Sequence, residues 1–117
     1  MAFAAGENAY APYSEFKVGA ALLTADGEIF TGCNIENGSF GATVCAERVA
    51  IFNAVSQGRR DFVKIAVTAM PCGMCRQVMA EFCDGDFQIL IAENEEDYTV
   101  RKLKDILPEG FILPKEE

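Results

Sequence analysis

The chain of 117 residues contains no histidine. This absence excludes Ser-His and Cys-His catalytic triads, imidazole general bases and every metal site that needs a histidine ligand. Basic residues are also scarce, with 10 Lys and Arg against 18 Asp and Glu and a formal net charge of −8. Because binding to a phosphate backbone needs clustered basic side chains, the composition argues against a nucleic-acid partner.

Long hydrophobic runs are missing as well. The longest uninterrupted apolar run spans six residues, Val18 to Leu23, whereas a membrane-spanning helix needs about 20. The first residues lack the basic region of a signal peptide, so we expect a cytoplasmic protein with no membrane partner. Five cysteines in such a chain favour free thiols, a metal site or catalysis over a disulfide framework.

The residues that are present predict a single domain over residues 1–117, because half of them are hydrophobic and no repeat or linker interrupts them. Asp26-Gly27 between two extended stretches, residues 16–24 and 28–34, predicts an antiparallel β-hairpin. The later segments alternate in period and predict helix 45–57, strand 62–69, helix 72–83, strand 87–92 and helix 98–107. A hairpin followed by α-β-α-β-α predicts an α/β fold, a three-layer sandwich around a mixed sheet with parallel later strands.

Three cysteines and one glutamate carry the chemical signal, in the motifs Cys45-Ala46-Glu47 and Pro71-Cys72-Gly73-Met74-Cys75. Each motif lies where a predicted helix begins, and a helix N-terminus stabilises the thiolate form of cysteine. Three thiolates would hold a zinc ion and leave its fourth tetrahedral position open, which is typical of catalytic zinc. Such a site carries a net charge of −1, so we interpret Arg48 as a hydrogen-bond donor that draws charge from the sulfurs.

The residues alone leave other interpretations open. Cys33 or Cys83 could supply a fourth ligand, and the protein would then be a structural zinc module that binds a partner. Cys72 and Cys75 could form the redox pair of a thiol oxidoreductase, although this leaves Cys45 and Glu47 without a role.

The combined pattern resembles the cytidine deaminase family, whose signature joins a His-x-Glu or an all-cysteine motif to Pro-Cys-x-x-Cys. The chain is similar in particular to the small homotetrameric members with three zinc-binding cysteines. The similarity covers residues 9 to 111 and includes these further segments: Ala9–Ser14, Phe16–Leu22, Thr31–Asn37, Arg76-Gln77 and Leu107-Pro108. One departure is that Thr68-Ala69-Met70 runs directly into Pro71, where family members carry several more residues.

The resemblance implies a role for each matching residue. Cys45, Cys72 and Cys75 correspond to the zinc ligands, and Glu47 corresponds to the residue that shuttles protons. The substrate contacts correspond to Asn34 and Glu36 at the ribose hydroxyls, the Ala46 backbone at the pyrimidine edge, Phe16 in the pocket wall, and Phe111 from a neighbouring subunit. On the residues alone, Phe16 and Phe111 would be interpreted as ordinary core or rim aromatics.

The resemblance also implies an activity. It is the hydrolytic deamination of cytidine, and of 2′-deoxycytidine, to the uracil nucleoside and ammonia in pyrimidine salvage, with water activated by zinc and protons carried by Glu47. The implied assembly is a homotetramer with shared active sites. Deamination of a nucleoside antibiotic such as blasticidin S is a related alternative, but Asn34 and Glu36 favour a substrate that carries ribose.

Overall fold

The structure is a computed structural model that describes residues 1–107, and for Phe40 the backbone alone. Five strands form one mixed sheet: β1 (Gly19–Thr24), β2 (Ile29–Cys33), β3 (Phe62–Val67), β4 (Gln88–Ala92) and β5 (Tyr98–Lys102). Their order across the sheet is β2-β1-β3-β4-β5. The helices are α1 (Ala2–Gly6), α2 (Ala46–Ser56), α3 (Gly73–Phe82) and α4 (Leu103–Ile106), with a 3-10 turn at Phe40–Ala42.

Two glycines show which helix covers each face of the sheet. A Cβ atom on Gly32 would collide with the carbonyl oxygen of Ala46 and lie 2.6 Å from the nitrogen of Ala50, so the backbone of α2 rests directly on β2. Gly19 points to the opposite face, where a Cβ atom would collide with the carbonyl oxygen of Ala2 in α1. The sheet therefore lies between α1 and α2, and the predicted three-layer α/β sandwich is confirmed.

The hydrophobic core lies between α2, α3 and the sheet. Helix α2 contributes small side chains at helical spacing, Ala46, Ala50 and Ala54, and all three are fully buried. They pack with larger buried side chains from the strands and from α3: Leu22, Ile65, Val67, Ile89 and Met79. Small residues on α2 allow the helix backbone to lie close to β2. This close approach fixes how deeply the start of α2 is buried.

The predicted hairpin and the parallel pair are both confirmed. Strands β1 and β2 are antiparallel and turn through Gly27, whose φ of +86° is a conformation that glycine adopts without strain. Strands β3 and β4 are parallel neighbours and are joined through α3. The connection from β3 to α3 takes only residues 68–72.

The predicted helix over residues 98–107 is wrong. Residues Tyr98–Lys102 form β5, which pairs antiparallel with β4, and only Leu103–Ile106 are helical. Tyr98, Thr99 and Val100 are aromatic or β-branched residues that favour strands, and the backbone of β4 offers them an unpaired edge. The short helix α1 was not predicted either. Residues 1–107 contain no helix with the length and apolar character that a bilayer span requires.

Candidate metal centre and active site

The N-termini of two helices meet at the cysteines. Cys45 is the N-cap of α2 and Cys72 is the N-cap of α3, and both have extended backbone conformations. Cys75 follows in the first turn of α3, where its N–H donates to Cys72 Sγ at 3.4 Å. The partial positive charge of each helix N-terminus is therefore directed at the thiols.

The three sulfurs have the spacing that a zinc ion needs. Cys45 Sγ lies 3.7 Å from Cys72 Sγ, and Cys72 Sγ lies 3.4 Å from Cys75 Sγ. Zinc–sulfur bonds of about 2.3 Å in a tetrahedron place the sulfurs about 3.8 Å apart, so the residues fit this metal. All five cysteines belong to the described residues, and neither Cys33 nor Cys83 belongs to the cluster. The cluster thus supplies three ligands and leaves one position for a substrate or water.

The environments of Cys72 and Cys75 differ. Burial opposes ionisation of Cys72, but hydrogen bonds from the Cys75 N–H and from neighbouring thiols outweigh it and lower the pKa of Cys72. Burial, and then the nearby Glu47 carboxylate, raise the pKa of Cys75. A bound cation offsets both unfavourable effects at Cys75, since it stabilises the thiolate directly.

Glu47 lies in the first turn of α2 and is only 3% exposed. Its burial raises its pKa, although its own backbone N–H, a hydrogen bond with Cys75 and the charge of Arg48 act in the opposite direction. Glu47 is therefore not an ordinary solvent-exposed acid at the start of a helix. A buried carboxyl beside a metal site, with a pKa nearer to neutrality, is suited to accept and return protons.

Arg48, the next residue of α2, also contacts the thiols. Its Nη2 donates to Cys45 Sγ at 3.6 Å and to the carbonyl oxygen of Thr43 at 3.2 Å. Partial burial acts to lower the pKa of Arg48, but hydrogen bonds to Cys45 and Cys75 outweigh it and raise the pKa. The guanidinium therefore remains charged and places positive charge next to the sulfurs.

A cavity of about 250 Å³ opens beside this cluster. It brings together most of the predicted site residues: Phe16, Asn34, Glu36, Cys45, Ala46, Glu47 and Cys72. Cys75, which is fully buried, and Arg48 do not line it. Larger cavities exist, such as one of about 400 Å³ beside Asp26 and Arg59. There, however, Asp26 and Arg59 form an ion pair with each other.

Asn34 and Glu36 lie in the wall of the cavity opposite the thiols. Both side chains form hydrogen bonds with residues 13–18. Asn34 Oδ1 accepts from the Val18 N–H at 2.8 Å, and its Nδ2 donates to the Phe16 carbonyl oxygen at 2.9 Å. Glu36 accepts from the N–H groups of Tyr13 and Ser14 at 2.9 and 3.1 Å, and from the Ser14 hydroxyl. Hydrogen bonds from Ser14 hold the pKa of Glu36 below its ordinary 4.5.

Sequence reasoning assigned no role to six residues that line the cavity: Ser14, Val18, Thr43, Val44, Ala69 and Met70. Ser14 belongs to a segment that carries the resemblance, but its contact with Glu36 spans 22 positions of the chain and leaves no local signal. Met70 lines the rim because the connection between β3 and α3 is short, and its side chain is 49% exposed. The predicted substrate contact Phe111 lies outside the described residues.

Comparison with known proteins agrees with this geometry. Residues 1–91 match the family model described as the cytidine and deoxycytidylate deaminase zinc-binding region. The chain belongs to the cytidine deaminase family. Both zinc-site motifs lie within the matched residues.

Individual members of the family match over nearly the whole chain. A cytidine deaminase of Halalkalibacterium halodurans is 50% identical over 116 residues, which is 94% of this chain and 88% of the relative. That of Sporosarcina psychrophila is 49% identical over 113 residues, 92% of this chain and 83% of the relative. The crystal structure of cytidine deaminase from Burkholderia pseudomallei superposes with a TM-score of 0.89 at 47% identity, covering 94% of this chain and 93% of the other.

Proposed function

We propose that the protein catalyses the hydrolytic deamination of cytidine and 2′-deoxycytidine, in which water replaces the 4-amino group and ammonia leaves. The observation that carries the proposal is the open cluster of three thiols beside a buried glutamate, in a cavity whose far wall offers Asn34 and Glu36. The cluster lacks the fourth cysteine that a closed structural zinc site would need, which disfavours the structural module. Cys45 and Glu47 have roles here that a thiol oxidoreductase would not require.

Cys45, Cys72 and Cys75 would hold the zinc ion. Zinc, when bound, lowers the pKa of water from 15.7 to about 7 and so supplies a nucleophile at neutral pH. Arg48 offsets the negative charge of the three thiolates through its hydrogen bond to Cys45, which favours the metal's action as a Lewis acid.

Glu47 would carry the protons. Its carboxylate accepts a proton from the attacking water and gives it to ring N3, which makes C4 more electrophilic. It then transfers a second proton from the C4 hydroxyl to the amino group, so that ammonia departs and the carbonyl of the uracil ring forms. One carboxyl group serves both ends of the reaction, and the lack of histidine is no obstacle.

The hydrogen-bonding capacity left on Asn34 and Glu36 supports recognition of one hydroxyl. Asn34 Nδ2 has one hydrogen beyond its bond to Phe16, and Glu36 Oε2 has one lone pair beyond its bond with Ser14. A single ribose hydroxyl could accept the first and donate to the second. We assign this contact to the 3′-hydroxyl, which cytidine and 2′-deoxycytidine share. The Ala46 backbone would contact the pyrimidine edge, and Phe16 would contact the base.

A free nucleoside fits this site better than a nucleic acid. The net charge of −8 provides no basic surface along which a phosphate backbone could lie. The Glu36 carboxylate, whose pKa is lowered by the Ser14 hydrogen bonds, would also repel a phosphodiester at the 3′ position. Five free cysteines suit a reducing compartment, which supports a cytoplasmic enzyme of pyrimidine salvage.

We further propose a homotetramer whose active sites are shared, with Phe111 supplied by a neighbouring subunit. Apolar side chains lie exposed at and beside the mouth of the cavity: Tyr13 59%, Phe16 59% and Met70 49%. A patch of this kind is typical of an interface, and symmetric self-association is the commonest way to cover one. The trans role of Phe111 rests on the family resemblance.

Two measurements test the proposal. Metal analysis should find one zinc per chain, and cytidine should lose its absorbance near 280 nm as uridine forms. Activity on blasticidin S with none on cytidine would favour the antibiotic-deaminase alternative. One zinc per chain with no activity on either compound would favour the structural zinc module instead.

A further inference from the structure

Arg76 is a half-buried residue of α3 that directly follows the zinc-site residue Cys75. Its Nε donates to the carbonyl oxygen of Pro71 at 2.9 Å, and its Nη1 donates to the carbonyl oxygen of Ile106 at 2.9 Å. Its backbone N–H donates to the carbonyl oxygen of Cys72 at 3.0 Å. One residue therefore binds three backbone carbonyls from two separate parts of the chain.

Two of these carbonyls flank Cys72. The Pro71 carbonyl belongs to the peptide that enters Cys72, and the Cys72 carbonyl belongs to the peptide that leaves it. Together the two peptide planes fix the direction in which the Cα–Cβ bond of Cys72 points. The Arg76 guanidinium thus restrains the peptide that enters Cys72. The first helical hydrogen bond of α3, from the Arg76 backbone, restrains the peptide that leaves it.

Cys72 needs such a restraint more than its two neighbours do. Cys75 is fully buried within α3, and Cys45 is half-buried, whereas Cys72 is exposed and precedes the first turn of its helix. Its own side chain is held by little packing, so its position depends on the backbone of the short connection, in which Pro71 is fully buried. The third contact of Arg76 anchors this restraint to the carbonyl at the end of α4, a group that has no partner within its own helix.

We propose that Arg76 is a positioning residue that holds the Cys72 thiol in place for zinc. The guanidinium suits the task because Nε and Nη1 point in different directions and reach two carbonyls at once, whereas a lysine has a single nitrogen. The inference rests on the proposed function in one respect, namely that the three thiols bind zinc.

The test compares Arg76→Lys and Arg76→Gln with Arg60→Lys and Arg60→Gln. Arg60 is a matched control, because its Nη1 also donates to two backbone carbonyls, those of Val55 and Arg59, each at 2.9 Å, but away from the cysteines. Zinc affinity is measured by competition with a chromogenic chelator, and the unfolding midpoint of each zinc-free protein is measured by circular dichroism. Deamination of cytidine is measured after zinc is restored.

We expect both Arg76 variants to bind zinc about 10- to 100-fold more weakly than the unsubstituted protein, the range seen when partners of metal ligands are removed. The Arg60 variants should keep the original affinity. Arg76 variants that lose zinc-free stability but keep zinc affinity would overturn the proposal, since Arg76 would then only support the fold. Failure of both Arg76 variants to fold, while both Arg60 variants fold, would overturn it for the same reason. If the unsubstituted protein binds zinc but does not deaminate cytidine, the proposed function fails while the zinc comparison still decides the role of Arg76.

Discussion

Replacing Glu47 with glutamine tests the proposed chemistry most directly. The substitution keeps the size and shape of the side chain, so the packing of α2 against the sheet should not change. It removes the carboxylate that would accept and return protons and leaves the three thiols in place. We therefore expect a protein that folds, binds one zinc per chain and turns over cytidine very slowly.

The size of the effect follows from the position of Glu47. A single positioned acid or base contributes about 10²- to 10⁴-fold, and the loss here should reach the upper end because one group serves several transfers. A 10⁴-fold loss corresponds to a barrier higher by about 5.4 kcal/mol. Glu47→Asp keeps the acid but withdraws it by one methylene, and a misplacement of about 1 Å can cost about 10²-fold. The order of activity should be Glu, then Asp, then Gln.

Stability should change in the opposite direction to activity. Burial raises the pKa of Glu47 above its ordinary 4.5, so its stabilising contribution is present below that pH and is lost as the pH rises through the raised pKa. Glutamine carries no charge, and the zinc-free Gln variant should be at least as stable as the unsubstituted protein at pH 7. Absorbance assays, metal analysis and thermal unfolding check the three outcomes. Near-normal turnover by the Gln variant would refute the role of Glu47 as the proton carrier.

Four further predictions follow from the site. Cys72→Ser should lose zinc on metal analysis, whereas Cys33→Ser and Cys83→Ser should keep about one zinc per chain; a loss in either of the latter would mean a closed site. Burial raises the pKa of Cys83 to about 12, so iodoacetamide at pH 8 should label it in mass spectrometry only after unfolding. 3′-Deoxycytidine should show a kcat/KM about 10- to 100-fold below that of 2′-deoxycytidine, the loss expected for a hydrogen bond to a charged group; equal values would remove Glu36 from substrate recognition. Phe111→Ala should raise KM for cytidine, and mixing it with Glu47→Gln chains should restore some activity, whereas a fully active monomer by light scattering would exclude shared sites.

The predictability of the fold differed between segments for physical reasons. Helix α2 and the buried strands carry long, consistent patterns, and their bounds agree with the prediction to within two residues or so. Residues 98–107 carry a helical spacing of Val100, Leu103 and Leu107 that is too short to outweigh pairing with β4. Pairing with the neighbouring strand β4 stabilises a strand there. The local sequence does not reveal this pairing, because the residues of β4 lie outside it. Helix α1 has five residues and no side-chain cap, so it leaves almost no signal.

The cysteine cluster was more predictable than the cavity wall that contains Asn34 and Glu36. Cysteine spacing and helix starts are local features, so the sequence alone predicts that Cys45, Cys72, Cys75 and Glu47 lie together. The contacts of Asn34 and Glu36 join positions 16 to 23 residues apart, and only the folded chain reveals that they bind the segment carrying Ser14 and Phe16. The hydrogen bond from Arg76 to the carbonyl oxygen of Ile106 joins positions 30 residues apart and could not be predicted for the same reason.

The missing side chain at Gly32 has a consequence for engineering this enzyme. Strand β2 leads into Asn34 and Glu36, and α2, which rests on Gly32, begins with Ala46 and Glu47. The thickness of one backbone contact therefore sets how far Ala46 and Glu47 lie from Asn34 and Glu36. A library that varies position 32 would alter this distance by whole atoms rather than by fine increments, and would displace the two walls of the cavity relative to each other. Efforts to admit bulkier nucleosides should leave this spacing alone and vary the rim at Phe16 and Met70, where exposed side chains can change size without moving either half of the site.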